Sequence, residues 1–245
     1  MSALDFDIWL NHFEHHAHHP RCVANDLPDL LTPDERRLIA GSMATFQLGE
    51  QSEGRTLLRA AERFALPRGA PKLVRIVELF IREEQQHAAL LLAFMEDHDI
   101  APKRTDWTDR VFRLVRGLAG LELYLYVLIS AELIGIVFYR ALEAATNCRR
   151  LEVLCRVLVS DELAHVGFES QLLLALRAGR ISPVQSLMRW GHRTFFTCTA
   201  VVVWFTHRSV LRHGGCGLQG FLRACMMQYD FYLQPVDAIA ATSFP

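Results

Sequence analysis

Residues 83–87 read Glu83-Glu84-Gln85-Gln86-His87, and residues 161–165 read Asp161-Glu162-Leu163-Ala164-His165. Both have the form acid-Glu-x-x-His. Residues three apart on an α-helix stand one turn apart on one face, so each Glu and His point the same way and can share a metal ion or a pair of ions. One Glu-x-x-His arises readily by chance. Two, each preceded by an acid and each in a separate helical stretch, do not. The competing reading is a pair of solvated helix faces. Arg82 to Gln86 is polar enough to allow it, but Ser160 to Phe168 lies among apolar residues.

Outward from these motifs, apolar residues recur at helical spacing from about Pro71 to Asp97 and from Asn147, a candidate cap, to about Arg177. A helix from Pro33 to about Phe64 precedes them. Thr32-Pro33-Asp34-Glu35 is a complete start signal for it and Pro67-Arg68-Gly69 a stop. Between the motif helices, the connector His98 to Asp106 leads into a helical pattern from Trp107 to about Ala145, weakened at Gly117 and Gly120. If the helices on either side of it run parallel, the link must span most of the bundle, on the order of 30 Å. That span predicts a short crossing helix over Trp107 to about Arg116, with the core helix following the glycines.

A fifth helix is expected from about Pro183 to His213, stopped by Gly214-Gly215, and a sixth from Gly217 to Tyr229. No stretch alternates with period two, so the expected class is all-α. The expected organisation is an irregular N-terminal arm over 1–31, a four-helix bundle over 32–180 and additional C-terminal helices over 181–245.

Two further carboxylate positions break the apolar pattern. Glu132 sits among Leu125, Leu128, Ile129, Ile136 and Tyr139 at helical spacing. A bare carboxylate there would be very costly, so it must be protonated, paired or bound to a cation. On the first helix Glu50 and Glu53 share a stripe with Phe46, Leu57 and Phe64, and Gly49 and Gly54 beside them allow a neighbouring helix to come close. The pattern is one Glu on each of the first and third helices and one Glu-x-x-His on each of the second and fourth, the arrangement of di-iron and di-manganese carboxylate bundles.

With these residues in place, the stretch from Thr32 to Gly179 resembles the ferritin-like superfamily. It is similar in wording to a bacterial ferritin-like group with Gly-Glu-x-Ser-Glu-Gly and Arg-Glu-Glu-x-x-His, here Gly49 to Gly54 and Arg82 to His87. The resemblance implies the ligand set Glu53, Glu84, His87, Glu132, Glu162 and His165, with Glu50 as the alternative first-helix ligand. It also implies that Asp161 accepts a hydrogen bond from His87 and Glu83 one from His165, contacts that fix imidazole orientation and basicity. Glu169, one turn past His165, is read as a further supporting acid or an extra ligand.

Carboxylates and imidazoles without a thiolate favour iron, with manganese or an iron–manganese pair also suited, so the expected cofactor is two metal ions. The expected function is an oxidoreductase, an oxidase or oxygenase that activates O2 on a small-molecule substrate with the help of an electron donor. The alternative is an iron-handling protein that oxidises and sequesters ferrous ion. A third reading is a scaffold assembling through its apolar fifth helix, with a homodimer as one such assembly. Leu91 occupies the place where the ribonucleotide reductase small subunit carries its radical tyrosine, so that chemistry is not expected.

The remaining composition narrows the field. Lys and Arg total 26 against 27 Asp and Glu, so no net field draws nucleic acid or an anionic membrane. Six scattered cysteines form no Cys-x-x-Cys pair and read as reduced core thiols. The apolar runs Gly117 to Tyr139 and Phe195 to Phe205 read as buried helices, since the first contains Glu122 and Glu132 and the second is too short to span a bilayer. Without a secretory signal at Met1 to Asp7, the expected compartment is cytoplasmic.

Other candidate residues take the plainer reading. Glu122 is equally open to a surface role and a site role. His12, His15, His16, His18 and His19 read as a solvated arm rather than a metal-capture segment, because nothing in the sequence around them would hold them in place. His192, His207 and His213 read as surface or interface residues, and Phe195, Phe196, Trp204 and Phe205 as core.

Overall fold

The structure is a computed structural model that describes residues 4–24, 27–28, 30–51, 54–105, 120–177 and 182–233. Its helices are α1 (Phe6–His18), α2 (Pro33–Glu50), α3 (Arg55–Ala65), α4 (Pro71–Asp97), α5 (Leu121–Ala144), α6 (Arg149–Arg177), α7 (Ser182–His213) and α8 (Leu218–Leu233), with a short 3-10 turn at Leu66–Arg68. Among the described residues there is no strand. The chain is all-α, as its periodicity implies.

Helix α2 opens on the expected capping box. The Thr32 hydroxyl accepts from the Glu35 backbone N–H, and the Glu35 carboxylate accepts from the Thr32 backbone N–H. The helix does not run on to Phe64 as the periodicity suggests. It ends at Glu50, and α3 restarts after Gly54, which has φ +64°. A Cβ at Gly54 would stand 2.5 Å from the Ile81 side chain of α4, so the chain can turn this close to α4 only at a glycine. Leu57, Ala60, Ala61 and Ala65 then form the buried stripe of α3. Asn147 was expected to cap α6, but it donates to Glu35 from its backbone N–H and its side chain. Cys148 Sγ instead accepts from the Leu151 N–H.

Helices α2 and α3 pack on α4, α4 on α6, α6 on α5, and α5 back on α3. α7 and α8 pack on α5. α5 is long and apolar enough to cross a membrane, but 83% of its most apolar window is buried inside the protein, so its neighbours account for its hydropathy. It begins one residue past Gly120. The expected crossing helix at Trp107 to Arg116 lies outside the described residues.

The first thirty residues are not simply an irregular arm. Asp5 accepts from the Asp7 and Ile8 N–H groups and starts α1, a 13-residue helix packed along α4. Phe13 is 1% exposed and meets Phe80, Phe168 and the His165 ring. Trp9 donates from Nε1 to Gln171 Oε1 at 2.9 Å and lies against Gly167, where a Cβ would sit 3.2 Å from its ring. A helix this short is marginal alone, so packing holds it, and packing is not visible in a histidine-rich composition.

Two histidines expected at the surface are buried. His192 Nε2 lies 3.0 Å from both Ser130 Oγ and the Tyr126 carbonyl, and burial pushes its pKa down to about 3. His207 Nδ1 is 2.9 Å from Ser42 Oγ, at a point where α7 leaves helical geometry. His213 is exposed. Phe196 and Trp204 are core, whereas Phe205 is 54% exposed.

Phe13→Ala should lower stability by about 3 kcal/mol, the usual cost of emptying a buried aromatic site. Urea unfolding measures this, and an unchanged midpoint would mean that α1 is not docked.

Candidate metal centre

The two motifs face one another across the α4–α6 contact. Glu84, His87, Glu162 and His165 each offer a ligand atom, and these atoms all lie within 4.8 Å of one another, so the cluster could hold a metal ion. His87 Nδ1 is 3.3 Å from Glu162 Oε1 and 3.6 Å from Glu84 Oε1. His165 Nδ1 is 2.9 Å from Glu84 Oε1 and 3.5 Å from Glu162 Oε2. Both rings thus turn Nδ1 inward, and each oxygen of Glu162 faces a different imidazole.

Behind each ring stands the acid that precedes the opposite Glu. His87 Nε2 lies 3.4 Å from Asp161 Oδ2, and His165 Nε2 lies 3.1 Å from Glu83 Oε2. These are the two contacts expected from the resemblance. Carboxylates placed to hold the Nε2 protons favour the tautomer in which the inward Nδ1 atoms become electron-pair donors once the rings are neutral.

Two more acids complete the interior. Glu132 of α5 and Glu169 of α6 are 5% and 1% exposed and face one another closely enough to share a proton; apart from that contact their four oxygens have no hydrogen-bond partner. Glu50, at the end of α2, accepts from the Tyr139 hydroxyl at 2.6 Å and lies near enough to Glu84 and Glu162 to feel their charge. Glu53 lies outside the described residues. Glu122 is turned away from this group and pairs with Arg177 at 3.4 Å, which gives it a structural role.

Burial raises the pKa values of Glu132, Glu169 and Glu50 well above the ordinary carboxylate range, with neighbouring carboxylates adding to the shift. Burial works the same way on Glu162, but contacts with His165 and His87 outweigh it and bring that group to about 2. Burial would lower His87 and His165, yet the surrounding carboxylates raise both well above 6.5. Beyond burial, these directions share one cause: the crowded acids favour proton uptake by the imidazoles and by one another, which lowers the negative charge of the cluster.

The acids Glu50, Glu84, Glu132 and Glu162 stand on the wall of a cavity of about 160 Å³. The rest of the wall is mainly apolar, with Phe46, Leu57, Phe80, Ile81, Val127 and Val203 among its residues. Comparison with known proteins adds no relative: no family model matches the chain, and no curated protein or solved structure matches it.

The sequence reading missed His16 and Arg21, which meet the outer oxygens of Glu83 and Asp161 at 2.6 and 3.1 Å. The available signal was Phe6, Trp9 and Phe13, an apolar stripe starting one residue after a capping Asp.

The raised groups give a signed pH dependence. A group whose folded pKa is raised contributes stability at low pH and loses it as pH rises. For Glu50, Glu132 and Glu169 the loss begins near their ordinary 4.5, and for His87 and His165 near 6.5. Metal-free protein should therefore melt at a lower temperature at pH 8 than at pH 5.5. Added Fe2+ or Mn2+ under anaerobic conditions should give its larger gain at pH 8, where ligands are deprotonated. Calorimetry at both pH values tests this; a metal effect independent of pH would count against these ligands. Asp161→Ala should keep the fold and weaken metal affinity about 10- to 100-fold, measured by competition with a chelator.

Proposed function

We propose that this chain is a ferritin-like four-helix-bundle protein that holds a carboxylate-bridged pair of metal ions and uses them to activate O2 toward a small organic molecule. The observation that carries the reading is a buried cluster whose inward atoms meet only one another. Ligand atoms of Glu84, His87, Glu162 and His165 all lie within 4.8 Å of one another, and Glu132 and Glu169 stand beside them with no donor from outside the group. Carboxylates and imidazoles buried together in this way are the kind of group that a cation can hold.

An acid from α2, a Glu-x-x-His from α4, an acid from α5 and a second Glu-x-x-His from α6 match the donor plan of two-metal carboxylate bundles. Glu162 turns one oxygen toward each imidazole, a posture suited to a carboxylate shared by two ions. Glu84 reaches both imidazoles with one oxygen. Glu50 is the first-helix acid that lies beside the group; Glu132 brings α5 to it. The hard oxygen and nitrogen donors favour iron, with manganese or a mixed pair as the variants.

When bound, a ferrous pair supplies the electrons that reduce O2. The residues around it set the conditions. Glu83 and Asp161 hold the imidazole N–H groups, and Tyr139 donates a proton to Glu50 Oε1 in a hydrogen bond. The apolar wall limits water at the reacting end of the cavity. Its volume is close to that of an engineered cavity of about 150 Å³ known to take benzene. Its acids disfavour anions. An uncharged, ring-sized organic molecule therefore fits best.

Anaerobic loading with Fe2+, followed by O2 and a panel of small apolar compounds, should give O2 uptake that depends on the compound and yields an oxygenated product. Many irons per chain retained as mineral, with no organic product, would move the assignment to iron handling. Val203→Phe, which fills the cavity without touching a ligand, should abolish product formation at unchanged iron content.

A further inference from the structure

Helix α1 and its C-cap residue carry two pairs of histidines one turn apart, His12 with His16 and His15 with His19. A solvated arm would give them no fixed geometry. As a helix docked through Phe13, α1 does: the rings of His12 and His16 have centroids 4.3 Å apart, and those of His15 and His19 4.4 Å. Histidines at this spacing on one helix face can bind one ion together.

The inner pair faces the acids behind the metal centre. Glu83 and Asp161 each use one oxygen on an imidazole of that centre and turn the other toward α1. His16 Nδ1 is 2.6 Å from Glu83 Oε1 and 4.0 Å from Asp161 Oδ1. Ligand atoms of His16, Glu83 and Asp161 all lie within 4.8 Å of one another. His12 Nε2 is buried without a partner, and its ring is close enough to feel the charges of both acids. A positive group already stands there: Arg21 Nη2, from a side chain 41% exposed, is 3.1 Å from Asp161 Oδ1.

We propose that His16, Glu83 and Asp161 form an outer site for one divalent transition-metal ion, that His12, whose ring stands 4.3 Å from that of His16, is its fourth ligand when the ion binds, and that Arg21 is the stand-in cation the ion displaces. With His12 drawn in, two imidazoles and two carboxylates make a donor set suited to Zn2+, Co2+ or Fe2+. His15 of α1 and His19 at its C-cap are exposed, on the solvent side. An ion here shares two acids with the inner centre and is repelled by ions in it, so the outer site binds more weakly and exchanges faster. Those properties suit a place where an ion waits on its way inward.

The test is equilibrium dialysis of the full chain against Co2+, with bound metal counted by elemental analysis. Wild type should retain about one equivalent more than the His12→Ala/His16→Ala double variant, a difference that does not depend on how many ions the inner centre holds. Arg21→Ala, which removes the competing cation, should bind its weakest ion several-fold more tightly than wild type. Equal stoichiometry in wild type and a folded double variant would overturn the proposal. So would an Arg21→Ala variant whose weakest ion binds no more tightly than in wild type, and that comparison stands even if the double variant fails to fold.

Discussion

A carboxylate taken out of water loses several kcal/mol of hydration unless a proton, a hydrogen-bond donor or a cation meets it. A whole domain is stable by only about 5–15 kcal/mol. Glu132, Glu162 and Glu169 are each at most 5% exposed, and they are gathered at one point together with Glu50 and Glu84. Their mutual repulsion adds to the hydration loss, and only positive charge at the centre relieves both. The rest of the molecule can be understood as what is needed to keep these acids dry and close: long helices that set their spacing, two imidazoles between them, and an apolar cover.

The cover is built in two different ways. On one side α5 is apolar nearly all round, with Ile129 and Leu133 buried on one face and Val127, Ile134 and Phe138 on another, and it is closed by α7 and α8. On the other side the cover is polar. Here α1 lays His16, and the segment after it lays Arg21, on acids that would otherwise have one oxygen unpaired. The apolar side excludes water, and the polar side balances charge. A purely apolar α1 would leave Glu83 Oε1 without compensation.

Much of this was legible in the chain itself. The paired motifs could be placed on one face of each helix because three residues make nearly one turn, and Glu132 was conspicuous because a lone acid interrupts a long apolar stripe. The orientation of Asp161 and Glu83 followed from resemblance, and the distances agree. What could not be seen depends on contacts between segments distant in sequence. α1 is held by Phe80 and Phe168 rather than by its own propensity. The break before Gly54 is set by Ile81 of another helix. His192 and His207 read as surface or interface residues because a histidine in an amphipathic helix gives no sign of the serine that will meet it.

The residues that hold the imidazole cluster and those that shape the cavity sit on largely different helices. α4 and α6 carry Glu84, His87, Glu162 and His165, whereas Thr45, Phe46, Val127, Leu128, Thr199 and Val203 come from α2, α5 and α7. A lineage could therefore exchange wall residues freely and drift from one guest molecule to another while the charged centre stayed under constant selection. Divergence among descendants of this chain should then fall unevenly, light along α4 and α6 and heavy along α7.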